Sequence, residues 1–373
     1  MQSGMFVSTA VERIVFGKPA AQALAAEVDR LKAQRVFLIV SGTMNRTTDE
    51  VAKVRAALGT RFAGLYDRMP SHTPRDAVIE ASSAARAAGT DLIVTFGGGS
   101  VTDAGKIMQI CLRHNVTDVA GLDAFHAVVN ADGKQTIPTF EGPVVRQIAI
   151  PTTLSGGEFQ PGGGCTDTRT KVKESFRHPL IIPRVSILDP APTVHTPLWV
   201  WLSTGLRAVD HATEAICSPV SNVASDANFL QALRLLSRGL PRVKQDPSDL
   251  EARLDCQLAV WQAMTGRQGG AQAGPLHRHR RLGQRRVKRH HRARRHRAGR
   301  ARYPSAPGGS GLCMLGSGSS RSLVLGSMNQ GSNNWDTHWQ CSSDVRNSLT
   351  LAGSLASRSL PHALLERFFV RFA

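Results

Sequence analysis

Two stretches of the chain carry residue types at spacings that can do chemistry. The first is Gly97-Gly98-Gly99-Ser100, followed by Asp103 and Lys106, between a β-branched run and a helical pattern. Glycines at such a junction let backbone N–H groups approach a pyrophosphate, whose charge the helix N-terminus stabilises. A plain tight turn needs one glycine, so three in a row followed by serine favour phosphate binding. The pattern is not G-x-G-x-x-G, and the common Rossmann family is not implied. The second stretch places Arg207, His211 and Glu214 at i, i+4 and i+7, on one face of a helix. The planar guanidinium of Arg207 suits bidentate pairing with a substrate carboxylate. His211 is placed to hold such a substrate or to donate a proton, with Glu214 orienting either partner. A structural Arg–Glu network on a buried helix is the plainer alternative. His178, in Arg177-His178-Pro179, is a third candidate and equally readable as structural. Lys171, Lys173 and Arg177 add positive charge that fits an anionic substrate or a solvated surface segment.

The elements that position these residues alternate short apolar strands with helical patterns through residue 190. A helix over 20–32 precedes a strand over 36–40 and a turn at Ser41-Gly42; a helix over 49–58 and a strand over 62–66 follow. A helix over 74–88 ends at Gly89, where a C-cap glycine belongs. The strand 91–96 then leads through the glycines into a helix ending near Arg113, and strands over 147–150 and 184–188 complete the series. From Pro192 onward only helices are predicted, over 197–218 (broken at Gly205), 226–240 and 250–264. The predicted fold class is an α/β nucleotide-binding domain with a parallel sheet (1–190) followed by an all-helical domain (191–266).

Gly97–Lys106, GGGSVTDAGK, resembles the dinucleotide loop of the iron-containing alcohol dehydrogenases. Ile150–Glu158, IPTTLSGGE, is similar to that family's second cofactor-contacting segment. Leu188-Asp189-Pro190 and Gly205–Glu214 follow its metal-site signature. Three motifs in order identify residues 1–266 as most of a member of this superfamily, of dehydroquinate-synthase-like fold and closest to its maleylacetate-reductase-like branch. The resemblance implies NADH or NADPH held by Ser41, Gly97, Gly98, Gly99, Ser100, Asp103, Lys106, Thr152 and Thr153. It implies catalysis by Arg207 and His211, and places His178 near the cleft between cofactor and substrate. Ser41 stands where an acidic residue would bind a ribose 2′-hydroxyl, so either nucleotide is admissible. One departure bears on metal. Metal-dependent members carry Asp and His at the positions of Arg207 and His211, with two downstream histidines in a G-x-x-H-x-x-x-H context absent here. A guanidinium offers no lone pair, so no bound iron or zinc is expected. The expected activity is reduction of a small unsaturated oxo-diacid such as maleylacetate, in the catabolism of aromatic compounds; a metal-dependent alcohol or polyol dehydrogenase is the runner-up. The expected partner is a small anionic substrate, and a homodimer is compatible with it.

The net charge of +18 misleads until it is divided. Residues 1–266 hold 27 Lys/Arg against 25 Asp/Glu, whereas residues 267–373 hold 19 against 3. Arg267–Arg302 alone has 14 Lys/Arg and five His with no acid, and a Gly/Ser-rich run follows over 308–322. An arm binding RNA or DNA phosphates is one reading, weakened by having Tyr303 as the only nearby ring for stacking. The favoured reading is a frameshift in a GC-rich gene. Leu276-His277-Arg278-His279-Arg280, written CUC CAC CGG CAU CGG, gives Ser-Thr-Gly-Ile-Gly one base later, which resembles the family's glycine-rich helix. On that reading the helical half lacks its cover, leaving Leu230, Leu233, Leu236 and Val260 facing water, and the chain is inactive. The six cysteines, scattered without a C-x-x-C pair, suit a reducing compartment. No signal-peptide pattern and no run of 18 apolar residues occurs, so a cytoplasmic location is expected and a membrane span is not.

Overall fold

The computed structural model describes residues 8–270 except 131–134, 217 and 219–220. The described residues fall within one compact unit. Six strands form a parallel sheet in the order β1 (Arg13–Phe16), β10 (Val185–Leu188), β7 (Arg146–Pro151), β4 (Leu92–Gly97), β2 (Val36–Val40) and β3 (Phe62–Tyr66). Val36–Val40 and Leu92–Gly97 are near-continuous apolar runs because both faces of a parallel strand are covered. On one face, Leu38, Val40, Val94, Phe96, Ile148 and Ile150 pack on α1 (Ala20–Leu31) and α3 (Glu50–Leu58). On the other, Phe37, Ile39 and Ile93 pack on α4 (Arg75–Ala87) and α5 (Gly99–Arg113), together with Cys111 and Cys165.

Four features were not anticipated. Ser41-Gly42 opens a short helix, α2 (Gly42–Thr47), with Ser41 as N-cap, its Oγ accepting from the Met44 N–H at 3.5 Å. The edge strand β1 pairs in register with β10. An antiparallel hairpin, β8 (Gly162–Asp167) with β9 (Val172–Arg177), lies over α5, and β5 (Val128–Val129) pairs with β6 (Gln135–Thr136).

The helical part comprises α6 (Leu198–Ile216), α7 (Val223–Gln245) and α8 (Leu250–Gly270). The predicted break at Gly205 is absent. A Cβ there would lie 2.5 Å from Leu240 Cδ2 and 3.0 Å from Leu154 Cδ1, so the glycine serves close packing of a continuous helix. Helix α7 begins with a capping box, the Asn222 side chain accepting from Ser225 N–H and Ser225 Oγ from Asn222 N–H. The expectation that Leu233, Leu236 and Val260 face water is corrected: all three are buried, and Leu230 is half-buried. Pairing of α7 with α6 and α8 supplies cover from within the first 270 residues. Cys256 is buried on α8. Among the described residues no helix is long and apolar enough to cross a membrane. The basic segment and its frameshift or nucleic-acid readings lie outside the described residues.

Candidate active site

The carboxyl ends of β2, β4 and β7 bring Ser41, Gly97–Gly99 and Thr152-Thr153 to one edge of the sheet, where open α/β folds bind ligands. The Ser41 N–H donates to Phe96 O at 2.9 Å and the Thr152 N–H to Gly97 O at 3.0 Å, so all three loops are locked to the strand before the glycines. Close approach explains the glycines. A Cβ on Gly97 would be 3.3 Å from the Ser41 Cβ, on Gly98 3.2 Å from Thr153 Cγ2, and on Gly99 2.9 Å from Ser155 Oγ. Gly98 caps α5, whose free N–H groups therefore open beside these loops. Ser155 belongs to this edge and was missed as a site residue, although it sits in the quoted TTLSGG run. Ser100 is engaged elsewhere, its Oγ accepting from His72 N–H at 3.0 Å.

Asp103 and Lys106 point beneath this edge rather than into it. Lys106 is fully buried, its Nζ donating to Gly157 O at 2.5 Å and Gly162 O at 2.7 Å. Asp103 Oδ2 accepts from Gly164 N–H at 3.2 Å, with Lys173 Nζ 3.9 Å away. Together they tie α5 to the turn after Gly156 and to β8. The second acid of the cluster, Glu158, is buried with Oε2 unpartnered. Burial pushes its carboxyl up to about 7, against the pull of a backbone hydrogen bond and the Lys106 ammonium. Burial likewise pushes Lys106 down. Between the ordinary value of 4.5 and about 7, the folded chain holds a proton here that the unfolded chain has lost. This contribution to stability is full below pH 4.5 and declines as pH rises through about 7. Glu158→Gln is expected to remove a pH-dependent loss on the order of 3 kcal/mol. Urea midpoints measured at pH 5 and pH 7.5 check it; equal pH slopes for parent and variant would refute it.

The second group lies on α6, docked against the same edge. Thr196 Oγ1, just before the helix, donates to Thr152 O at 2.7 Å, and Leu154 N–H donates to Thr204 Oγ1 at 3.1 Å. One turn further, the exposed Arg207 donates from Nε to His211 Nε2 at 3.3 Å. Asp210, His211 and Glu214 have ligand-capable atoms within 4.8 Å of one another. Asp210 escaped the sequence reading, which followed the i, i+4, i+7 face from Arg207. His178 acts as a cap, its Nδ1 accepting from Leu180 N–H at 3.0 Å, and its ring lies 5.1 Å from that of Phe140. Burial, then Arg146 and His114, hold its pKa below the usual value, so it is neutral near pH 7.

Comparison with known proteins agrees with this arrangement. The family model described as iron-containing alcohol dehydrogenase matches residues 11–190. That of the C-terminal part of the Fe-containing alcohol dehydrogenase family matches residues 201–278, beyond the Gly266 at which the sequence motifs stop. A dehydrogenase of Alternaria alternata, ALT3, is 34% identical over 261 residues, covering 64% of this chain and 67% of its own. Maleylacetate reductase of Rhizobium sp. strain MTP-10005 is 33% identical over 254 residues, covering 68% and 62%. The crystal structure of maleylacetate reductase from Agrobacterium tumefaciens superposes with a TM-score of 0.60 at 29% identity, covering 73% of this chain and 67% of that one. The chain thus spans about two thirds of the length of these relatives.

A family defined as iron-containing overturns the expectation that no metal is bound. That expectation rested on Arg207 and on the missing downstream histidines, and left the neighbours of His211 on the helix out of account. Arg207 removes one ligand, but the two carboxylates and imidazole of Asp210, Glu214 and His211 form a mixed O/N donor set that suits a divalent first-row cation. Glycine loop, docked helix, parallel sheet and the matched residues agree: the chain belongs to the iron-containing alcohol dehydrogenase superfamily of oxidoreductases.

Proposed function

We propose that the chain is an NAD(P)H-dependent reductase acting on a small dicarboxylate with a conjugated carbonyl, of the maleylacetate type, in the breakdown of aromatic compounds. The observation that carries this reading is Arg207, an exposed guanidinium on the helix docked against the Thr152–Leu154 edge. Several relatives named maleylacetate reductase support it. The α5 N-terminus and the Gly97–Gly99 backbone hold the pyrophosphate, and Ser41, which carries no charge, tolerates a 2′-hydroxyl or a 2′-phosphate. Arg207 pairs with a substrate carboxylate and fixes the acceptor carbon toward the nicotinamide. Hydride adds to that carbon as the cofactor becomes NAD(P)+, and a proton from water completes the reduction. When bound, a divalent cation supplies Lewis acidity toward the substrate's carbonyl oxygen.

The test is NADH oxidation by the full chain with maleylacetate and with a neutral aldehyde. With a divalent cation saturating in both chains, Arg207→Met is expected to lower kcat/KM for the diacid about 10–100-fold, equivalent to one lost charged hydrogen-bond pair, and to leave the aldehyde rate unchanged. Equal losses on both substrates would sink the reading. A metal-dependent alcohol dehydrogenase is favoured instead by the Asp210–His211–Glu214 donor set. Faster NAD+ reduction with simple alcohols than NADH oxidation with the diacid would select it.

A further inference from the structure

We infer that the chain's divalent cation binds to Asp210, His211 and Glu214, a set shifted along α6, with Arg207 as an internal competitor for His211. The inference rests on family membership and on these side chains, and stands apart from the substrate reading. Asp210 and Glu214 are four residues apart and His211 and Glu214 three, so Glu214 stands one turn from both, and the side chains bring all three ligand atoms together. Ligand atoms within 4.8 Å of one another enclose a centre about 3 Å from each; small rotamer changes reach the ~2.0–2.2 Å of carboxylate and imidazole bonds to zinc.

The state of His211 is informative. Arg207 Nε can only donate, so the His211 Nε2 that receives it at 3.3 Å carries a lone pair, and the ring proton sits on Nδ1. The imidazole is therefore held in a tautomer able to ligate through Nε2. Arg207 is exposed, so its side chain can leave that lone pair without breaking buried packing. Two carboxylates beside it supply the negative charge that an arginine at position 207 takes away. Three protein ligands with Asp210 and Glu214 exposed leave the remaining coordination positions open, as in catalytic rather than structural sites. A cation here also releases Arg207 from His211.

The experiment is calorimetric titration of the chelator-stripped full chain with ZnCl2 and CoCl2, with the cobalt absorption spectrum as a second readout of ligand type. The expected result is one tight equivalent. Asp210→Asn, Glu214→Gln and His211→Ala should each weaken binding at least tenfold, and Arg207→Met should tighten it several-fold. Asn and Gln at exposed helical positions preserve the fold, which far-ultraviolet circular dichroism verifies. Absence of binding by the unsubstituted chain overturns the inference. So does a stoichiometry and affinity indifferent to all three ligand substitutions, which His277, His279, His290, His291 and His296 would produce instead.

Discussion

Arg75→Met is expected to destabilise the chain by about 3–5 kcal/mol, the cost of breaking a buried ion-pair group by removing one partner. The guanidinium is fully buried. Its Nη1 donates to Asp123 Oδ1 at 2.5 Å and to Val119 O at 2.8 Å, and its Nη2 to Glu174 Oε2. Asp167 Oδ2 is 3.8 Å away. This one residue of α4 thus joins the 120–124 turn to both strands of the β8–β9 hairpin. Without it, the sheltered Glu174 carboxylate is left with the His126 ring at 3.7 Å, and Asp167 with the partly exposed Arg169. Arg169 hydrogen bonding holds Asp167 well below the usual carboxylate range, so Asp167 stays charged at any pH where the protein is handled. Urea unfolding at pH 7 measures the loss. A midpoint unchanged from the parent would show that the network contributes nothing net, as many ion pairs do.

Trp201→Ala is expected to cost a similar amount, about 3–5 kcal/mol, through the cavity left by a large buried side chain. The indole is fully buried, and the Arg253 guanidinium lies 4.7 Å over its ring. Arg253 in turn donates to Pro247 O at 2.7 Å and Thr193 O at 2.9 Å, fastening α8 to the turn that enters α6. Removing the ring therefore withdraws both volume and the surface against which this arginine lies. Against a typical domain stability of about 5–15 kcal/mol, such a loss is enough to melt the helical part. Trp201→Phe should recover more than half of it, because the indole Nε1 has no hydrogen-bond partner to lose. Denaturant melts of the two variants decide this. A phenylalanine variant as unstable as the alanine variant would point to ring size, rather than apolar filling, as the determinant.

The central strands were legible because Val36–Val40 and Leu92–Gly97 are apolar on both faces, and only burial within a parallel sheet rewards that pattern. The glycine loop was legible for the same local reason. The β8 strand was not: Gly162-Gly163-Gly164 reads as a loop, and it becomes a strand only because α5 packs close, with the Lys106 stem 3.4 Å from a Cβ built at Gly163. Gly205 misled in the opposite sense, since its role in helix packing depends on Leu240, 35 positions away. Nor did sequence reveal that Lys106 turns under the loop, or that Glu158 waits there with one unpartnered oxygen. The error over metal came from reading a helix face as a single line. Asp210 lies one residue off the face drawn from Arg207, yet a ligand shell is a cluster in space and draws on neighbouring lines.

Three thiols lie inside the described residues, Cys111 and Cys165 within the sheet's core and Cys256 on α8, each with its pKa pushed up to about 12 by burial. Alkylating reagents consume thiolate, so in the closed protein these positions are silent. Each becomes reactive only when the element holding it opens. The chain therefore carries its own clocks, two in the nucleotide half and one in the helical half. Peptide-resolved alkylation rates would time the opening of each half separately, and so tell whether the two parts breathe together or apart.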